Sequence, residues 1–251
     1  MGLLSKIGFL AALAALVWIA GPVLGFRYGV NDFSMVMNNF GVLRESLGKF
    51  LIIGAVLFGL VVGILSLISG RSFIGILTVA IALAGGASIY YGPISMAKAG
   101  ASVPPIHDIS TDTNTPPLFV DILALRADAP NPASYDTEQT AQQLEAFPDI
   151  QTILVSGKSY DEVFSAAQAA LQSMDVKIIA ASKEDGRLEA VWTSKAFGFK
   201  DDVVVRILPE DQNVFFVDIR SKSRFGRSDL GENAKRIRVF MAAFNERIGG
   251  V

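Results

Sequence analysis

The sequence predicts a membrane α-helical anchor of three transmembrane helices followed by an α+β domain, a mainly antiparallel sheet with two helices. Three observations lead there. Three long apolar runs fill the first third of the 251-residue chain. Beyond residue 152 the apolar residues alternate along several short segments, as strands with one buried face require. Two amphipathic stretches, each opened by a capping signal, accompany those segments.

The apolar runs are Ile7–Phe26, Phe50–Ile68 and Phe73–Tyr91, and none contains an acid or a base. Each has about 20 residues, which at 1.5 Å per residue matches a hydrocarbon core of roughly 30 Å. They account for the positive mean hydropathy of +0.43. Lys6 gives the first run a short basic start. The run is nevertheless longer than a signal-peptide core and lacks a small-x-small cleavage site, so it reads as an uncleaved helix. Ser69–Ser72 is a tight connection, with Arg71 placed to reach the headgroups. In Arg27–Lys49, the residues Met35, Met37, Phe40 and Leu43 suit a short helix lying on the interface. No ionisable residue falls inside a run, which argues against a carrier or channel. Gly59 and Gly63 form a G-x-x-x-G, and Gly85-Gly86 a flat face, for packing within the three helices or against another subunit.

Three spans place the amino terminus and Arg71 on one side and the long loop and following domain on the other. Lys6 and Arg71 then oppose Arg27, Arg44, Lys49 and Lys98, a distribution that favours a cytoplasmic domain. The residues divide as anchor 1–99, an extended Pro/Asp/Thr-rich arm 100–150, and the α+β domain 151–251. Of the 22 bases and 24 acids, five and two lie before residue 92, leaving about −5 beyond it. That charge argues against a nucleic-acid partner. With no cysteine in the chain, disulfides, thiolate metal sites and a lipoprotein anchor are excluded.

Within the arm, residues 136–147 suit a short acidic helix. Thr152–Val155 reads as a strand. Ser159 and Glu162 make a capping box for a helix whose inner face is Tyr160, Val163, Phe164, Ala167, Leu171 and Met174. Lys177–Ala181, Arg187–Thr193, Asp201–Leu208 and Val214–Arg220 follow as strands. Glu184-Asp185-Gly186 and the stretch 209–213 serve as hairpin turns. Asp229 and Glu232 signal the last helix, with Leu230, Ala234, Ile237, Met241, Phe244 and Ile248 inside. The order β-α-β-β-β-β-α places both helices on one face of the sheet.

Candidate chemistry is sparse. Gly157-Lys158-Ser159 lies between a strand and a helix, but a phosphate loop needs glycine where Thr152 stands. His107 is the single histidine. With Asp108 and Asp112 it suits a metal site or a general base; alternatively it is a hydrogen-bonded tether for the arm. Arg220–Arg238 is strongly basic, and Arg224 and Arg227 precede a helix amino terminus, where an anion is favoured. That cluster suits a phosphate, a lipid headgroup or an acidic partner, or internal pairing with Asp108, Asp112 and Asp121. No nucleophile–base pair stands out, so no catalytic residue, cofactor or metal is assigned.

The stretches IHDISTDTNTPP (Ile106–Pro117), PDI (Pro148–Ile150) and SKSRFGRSDLGENAKRIRVF (Ser221–Phe240) resemble the uncharacterised bacterial family known as domain of unknown function 1499. The resemblance covers most of residues 104–249 and implies no activity. Its motif positions are His107, Asp108, Asp112, Arg224, Arg227, Ser228 and Asp229, to which the family assigns no role. Members include lipid-anchored envelope proteins, which implies a periplasmic domain and a multi-pass place in the bacterial inner membrane, against the charge distribution. The resulting expectation is an accessory or binding module at the membrane surface. Its partners would be the lipid bilayer together with a membrane protein or anionic lipid. The alternative is a hydrolase or lipid-modifying enzyme using His107 and Asp112.

Overall fold

The computed structural model describes residues 3–30, 32, 34–36, 38, 46–70, 72–195 and 197–249. The chain divides into two compact units, Met1–Ala97 with Lys195–Gly198, and Lys98–Ser194 with Phe199–Val251.

The first unit is built from α1 (Leu3–Arg27), α2 (Ser46–Ile68) and α3 (Ser72–Ala101), whose last turn belongs to the second unit. Leucine, alanine and isoleucine dominate the described parts, and few polar side chains compete for the backbone. Pro22 lies inside α1. Its ring removes one amide donor and crowds the carbonyl of Trp18, and the helix bends by 44° between Lys6–Trp18 and Ala20–Arg27. Glycines set the helix spacing. A Cβ on Gly59 would stand 3.1 Å from that of Ala12 and 3.4 Å from that of Ala82. A Cβ on Gly63 would stand 2.7 Å from a methyl of Val79. The G-x-x-x-G thus packs within the chain. Among the described residues no single helix is long and apolar enough to cross a membrane; the bent pair in α1 is so only when both parts are taken together, and Ile53–Ile68 and Gly75–Gly85 are shorter apolar helices. Met35 is helical and exposed, while Met37, Phe40, Leu43 and Arg71, expected at the interface, lie outside the described residues.

The second unit holds β1 (Asp108–Ser110), α4 (Thr140–Ala146), β2 (Ile153–Ser156), α5 (Tyr160–Gln172), β3 (Val176–Ser182), β4 (Arg187–Thr193), β5 (Lys200–Asp211), β6 (Val214–Ser223) and α6 (Glu232–Ile248). The strands run β1-β6-β5-β4-β3, with β2 also on β6, and every pairing is antiparallel. The two short strands share one edge of β6: β2 takes Val214–Val217 and β1 takes Arg220–Lys222. The stretch read as an extended arm therefore contributes a strand to the sheet. It also forms 3-10 turns at Asp121–Arg126 and Thr137–Gln139, the latter leading into α4 where the short acidic helix was expected.

Local signals account for most boundaries. Ser159 and Glu162 form the expected capping box of α5. Gly186, at φ +65°, closes the β3–β4 turn, where a Cβ would meet the carbonyl oxygen of Ile207. The β5–β6 hairpin is tighter than the sequence indicates. Its loop is Gln212-Asn213, and the strands reach it through a bulge between Pro209 and Asp211. Proline donates nothing to the ladder, and the bulge accommodates it. The cap of α6 also differs from expectation. The helix starts after Gly231, and the Asp229 carboxylate accepts from the amides of Gly231 and Asn233, while Glu232 pairs with Lys235 rather than closing a box.

Both faces of the sheet are covered, whereas one was expected. The α5 and α6 face buries Val203, Val205 and Ile207 of β5 and Phe215, Val217 and Ile219 of β6 with Phe164, Leu171, Ile237 and Phe244. The opposite face carries a smaller apolar cluster of Phe119, Ile122, Val191 and Val204, with Ile179 packed against it. Much of the rest of that face is charged.

Candidate functional site: a covered ion network

Strand alternation generates this site. Asp218, Arg220 and Lys222 of β6 point away from the helices, as do Asp202 and Arg206 of β5, because Ile219, Val203 and Val205 point towards them. The register sets Asp108 of β1 opposite Lys222. Asp108 receives Nε and Nη2 of Arg220 at 2.9 and 2.8 Å and Nζ of Lys222 at 2.8 Å. All three residues are fully buried. Arg220 also donates to the carbonyls of Pro117 and Ala133 and lies over the rings of Phe119 and Tyr135. Lys222 donates to the carbonyl of Ser134. Burial lowers the Lys222 pKa, and Asp108 opposes that shift.

A second centre adjoins it. Asp202 accepts from Nε and Nη2 of Arg224, the latter at 2.7 Å, and lies 3.3 Å from Nε of Arg126. Burial raises the Asp202 pKa despite both guanidinium groups. Arg224 also donates to the carbonyl of Leu125. Asn131 completes the seam: its amide donates to the carbonyl of Arg224 and its side chain to those of Ser223 and Gly226. At the far end of β1, Arg206 joins Asp112 and Asp218 at 3.0 and 2.8 Å. Burial alone would raise the Asp112 pKa, but bonds from Thr115, Asn114 and Arg206 hold it below the ordinary carboxylate value. On the helix face Arg236 pairs with Asp201 at 2.8 Å and stacks on Trp192.

The expected residues therefore separate into three groups. Asp108 and Arg224 belong to the buried network, but with different partners: Arg224 pairs with Asp202, not with the acids of the arm. Asp112 pairs with Arg206. His107, Arg227, Ser228 and Asp229 gather near the start of α6. There the amide of Asp229 donates to the carbonyl of Ile106, Ser228 Oγ accepts from Leu230, and Arg227 is exposed. His107 and Asp112 flank opposite ends of β1 and, among the described residues, hydrogen-bond to different partners. Among the described residues no group of three His, Cys, Asp or Glu side chains is placed to hold a metal ion. A shallow groove of about 440 Å³ lined by Pro104, Gln142, Glu145 and Ala146 contains none of the network residues.

A family described as "Protein of unknown function (DUF1499)" matches residues 108–244. The match covers more than half of the chain. The chain belongs to this family. No curated protein matches it. The DUF1499 region opens on Asp108 and closes on Phe244, so it contains the buried network, the segment above it and the core of α6. It leaves α1 to α3 outside. The residues missed from sequence were Arg126, Asp202, Arg206 and Asp218. For Asp202, Arg206 and Asp218 the signal was alternation within strands, as in the spacing by two of Asp218, Arg220 and Lys222; Arg126, in a 3-10 turn, carries no such signal.

His107 acts as a tether. Its amide donates to Gln139 Oε1, its carbonyl accepts from Ser223 and Asn233, and Nδ1 lies 3.4 Å from Gln139 Nε2. The ring also hydrogen-bonds the backbone of Arg227. A neutral imidazole satisfies both ring contacts, with Nδ1 accepting and the other nitrogen donating. Burial foremost, then Lys222, lowers its pKa. The unfolded chain thus binds the proton more tightly. The stability contributed is complete above the unfolded value of about 6.5 and is lost as pH falls from there through the folded pKa. In His107→Gln, the loss of thermal stability on acidification below about pH 6.5 should be shallower than in wild type. Parallel pH–stability curves for the two proteins would remove His107 from this role.

Proposed function

We propose that the chain is a membrane-anchored envelope protein in which α1, α2 and α3 cross the bacterial inner membrane. They would present the DUF1499 domain on the periplasmic side as a binding or accessory module. Its partner would be a membrane protein or an anionic ligand at the membrane surface. The observation that carries the anchor is the outer surface of the first unit, where Leu10, Val17, Leu57, Ile64, Ile76 and Leu83 are exposed. Water disfavours such surface by about 25 cal/mol per Å², and a bilayer relieves that cost. In α1 the bent pair Lys6–Trp18 and Ala20–Arg27 is together long and apolar enough to span, and the apolar stretches Ile53–Ile68 and Gly75–Gly85 accompany it. The module reading is supported by the network, whose motif charges satisfy one another and the overlying backbone rather than converging on a reacting centre. The periplasmic side follows from the resemblance to lipid-anchored members.

Cysteine labelling tests the topology directly, because the chain has no cysteine of its own. Glu184 is exposed in the β3–β4 turn. Glu184→Cys should react with a membrane-impermeant maleimide in cells with a permeabilised outer membrane and an intact inner one. Protection until the inner membrane is broken would place the domain in the cytoplasm. Release of the protein by carbonate extraction would remove the anchor.

A further inference from the structure

The network holds more positive charge than its carboxylates neutralise. Arg126, Arg220, Lys222 and Arg224 are all buried around two carboxylates, Asp108 and Asp202. The neighbouring triad, one arginine with Asp112 and Asp218, offsets one of the two surplus charges. Nη1 of Arg126 is buried without a hydrogen-bond partner among the described residues. Each of the four cations also donates to a neutral carbonyl of the overlying segment, those of Pro117, Leu125, Asn131, Ala133 and Ser134. A carbonyl is a weaker acceptor for a guanidinium than an oxyanion is.

The same segment is apolar on its outside. Phe119 and Ile122 point inward, yet Leu118, Val120, Leu123 and Leu125 are 70%, 47%, 46% and 51% exposed. Four large apolar side chains facing outwards within eight consecutive residues form a surface suited to lipid. Beneath them are donors suited to a phosphodiester.

We propose that segment 117–135 is a lipid-responsive strap. On meeting an anionic phospholipid it lifts, Leu118, Val120, Leu123 and Leu125 enter the acyl region, and the headgroup phosphate replaces the strap carbonyls on Arg220, Lys222 and Arg224, with Nη1 of Arg126, carried on the strap itself, as a further donor. The proposal deepens the anionic-ligand reading above by naming its site and its ligand chemistry. Closing the strap restores the carbonyl contacts, so binding and release require no covalent step.

Amide hydrogen exchange reads the strap directly, because the amides of Val120, Asp121 and Ile122 donate to the Glu189 carboxylate in the closed form. The full chain is held in neutral detergent micelles, plain or doped with equal amounts of phosphatidylcholine or phosphatidylglycerol. Exchange in 118–126 should accelerate at least about tenfold with phosphatidylglycerol and stay unchanged with phosphatidylcholine. The paired variant Leu123→Ser/Leu125→Ser alters only exposed side chains and should abolish the acceleration while leaving basal exchange as it is. Arg126→Gln should abolish it too. Equal exchange in both lipids, or persistence of the effect in the leucine variant, would overturn the proposal. An equal acceleration by inorganic phosphate would overturn the lipid assignment in favour of a soluble oxyanion. Because micelles impose no topology, this outcome is independent of the labelling result.

Discussion

Asp108→Asn should destabilise the DUF1499 domain more than any other single polar change in the network, by about 3–5 kcal/mol. The asparagine is nearly isosteric but removes the charge that pairs with both Arg220 and Lys222, and all three residues are fully buried. Two cations would then share neutral acceptors only. Lys222, already shifted downwards by burial, would give up its proton more readily. Denaturant unfolding in detergent, followed through Trp192 in a Trp18→Phe background, measures the loss. A change below about 1 kcal/mol would mean that the cations are neutralised or hydrated by other means. The triple variant Asp108→Leu/Arg220→Met/Lys222→Met should recover part of the loss, because replacing a whole buried ion cluster is often tolerated. Recovery should be incomplete, since the carbonyls of Pro117, Ala133 and Ser134 lose their donors.

Arg224→Ala should cost about 3 kcal/mol in neutral detergent. It removes the guanidinium that binds both oxygens of Asp202 and also donates to the strap carbonyl of Leu125. Asp202 would keep only Arg126. Its pKa, already raised by burial, would rise further. A carboxyl group with a raised folded pKa contributes stability that is present when protonated and is lost as pH rises through that pKa. The deficit of the variant should therefore shrink on acidification. Arg227→Ala, at an exposed position a few residues on, should stay within about 0.5 kcal/mol of wild type. Thermal unfolding of both variants across pH separates the two arginines, which are indistinguishable by sequence context. Equal stability losses for both would mean that the cluster before α6 acts as one unit, against the pairing described here.

Which of these features were legible without coordinates follows from how local their causes are. The apolar runs, the Ser159–Glu162 box, the alternation in β5 and β6 and the inner face of α6 each depend on residues a few positions apart. Such periodicities can be read directly. The family, too, was legible from the stretches around Ile106–Pro117 and Ser221–Phe240. Tertiary structure decided which charges meet. Asp108 reaches Arg220 and Lys222 across more than a hundred residues, and Arg224 binds Asp202 rather than an acid of the arm. The β1 strand that makes the first contact has three residues and no periodicity of its own. Its position exists because β6 offers a free edge beyond the end of β2. A period of two reveals that Arg220 and Lys222 share a face, but the face becomes an interior only when the strap covers it. Strand register and burial are properties of the assembled sheet, and they turn a run of basic residues whose partners the sequence left open into a buried, partly compensated network.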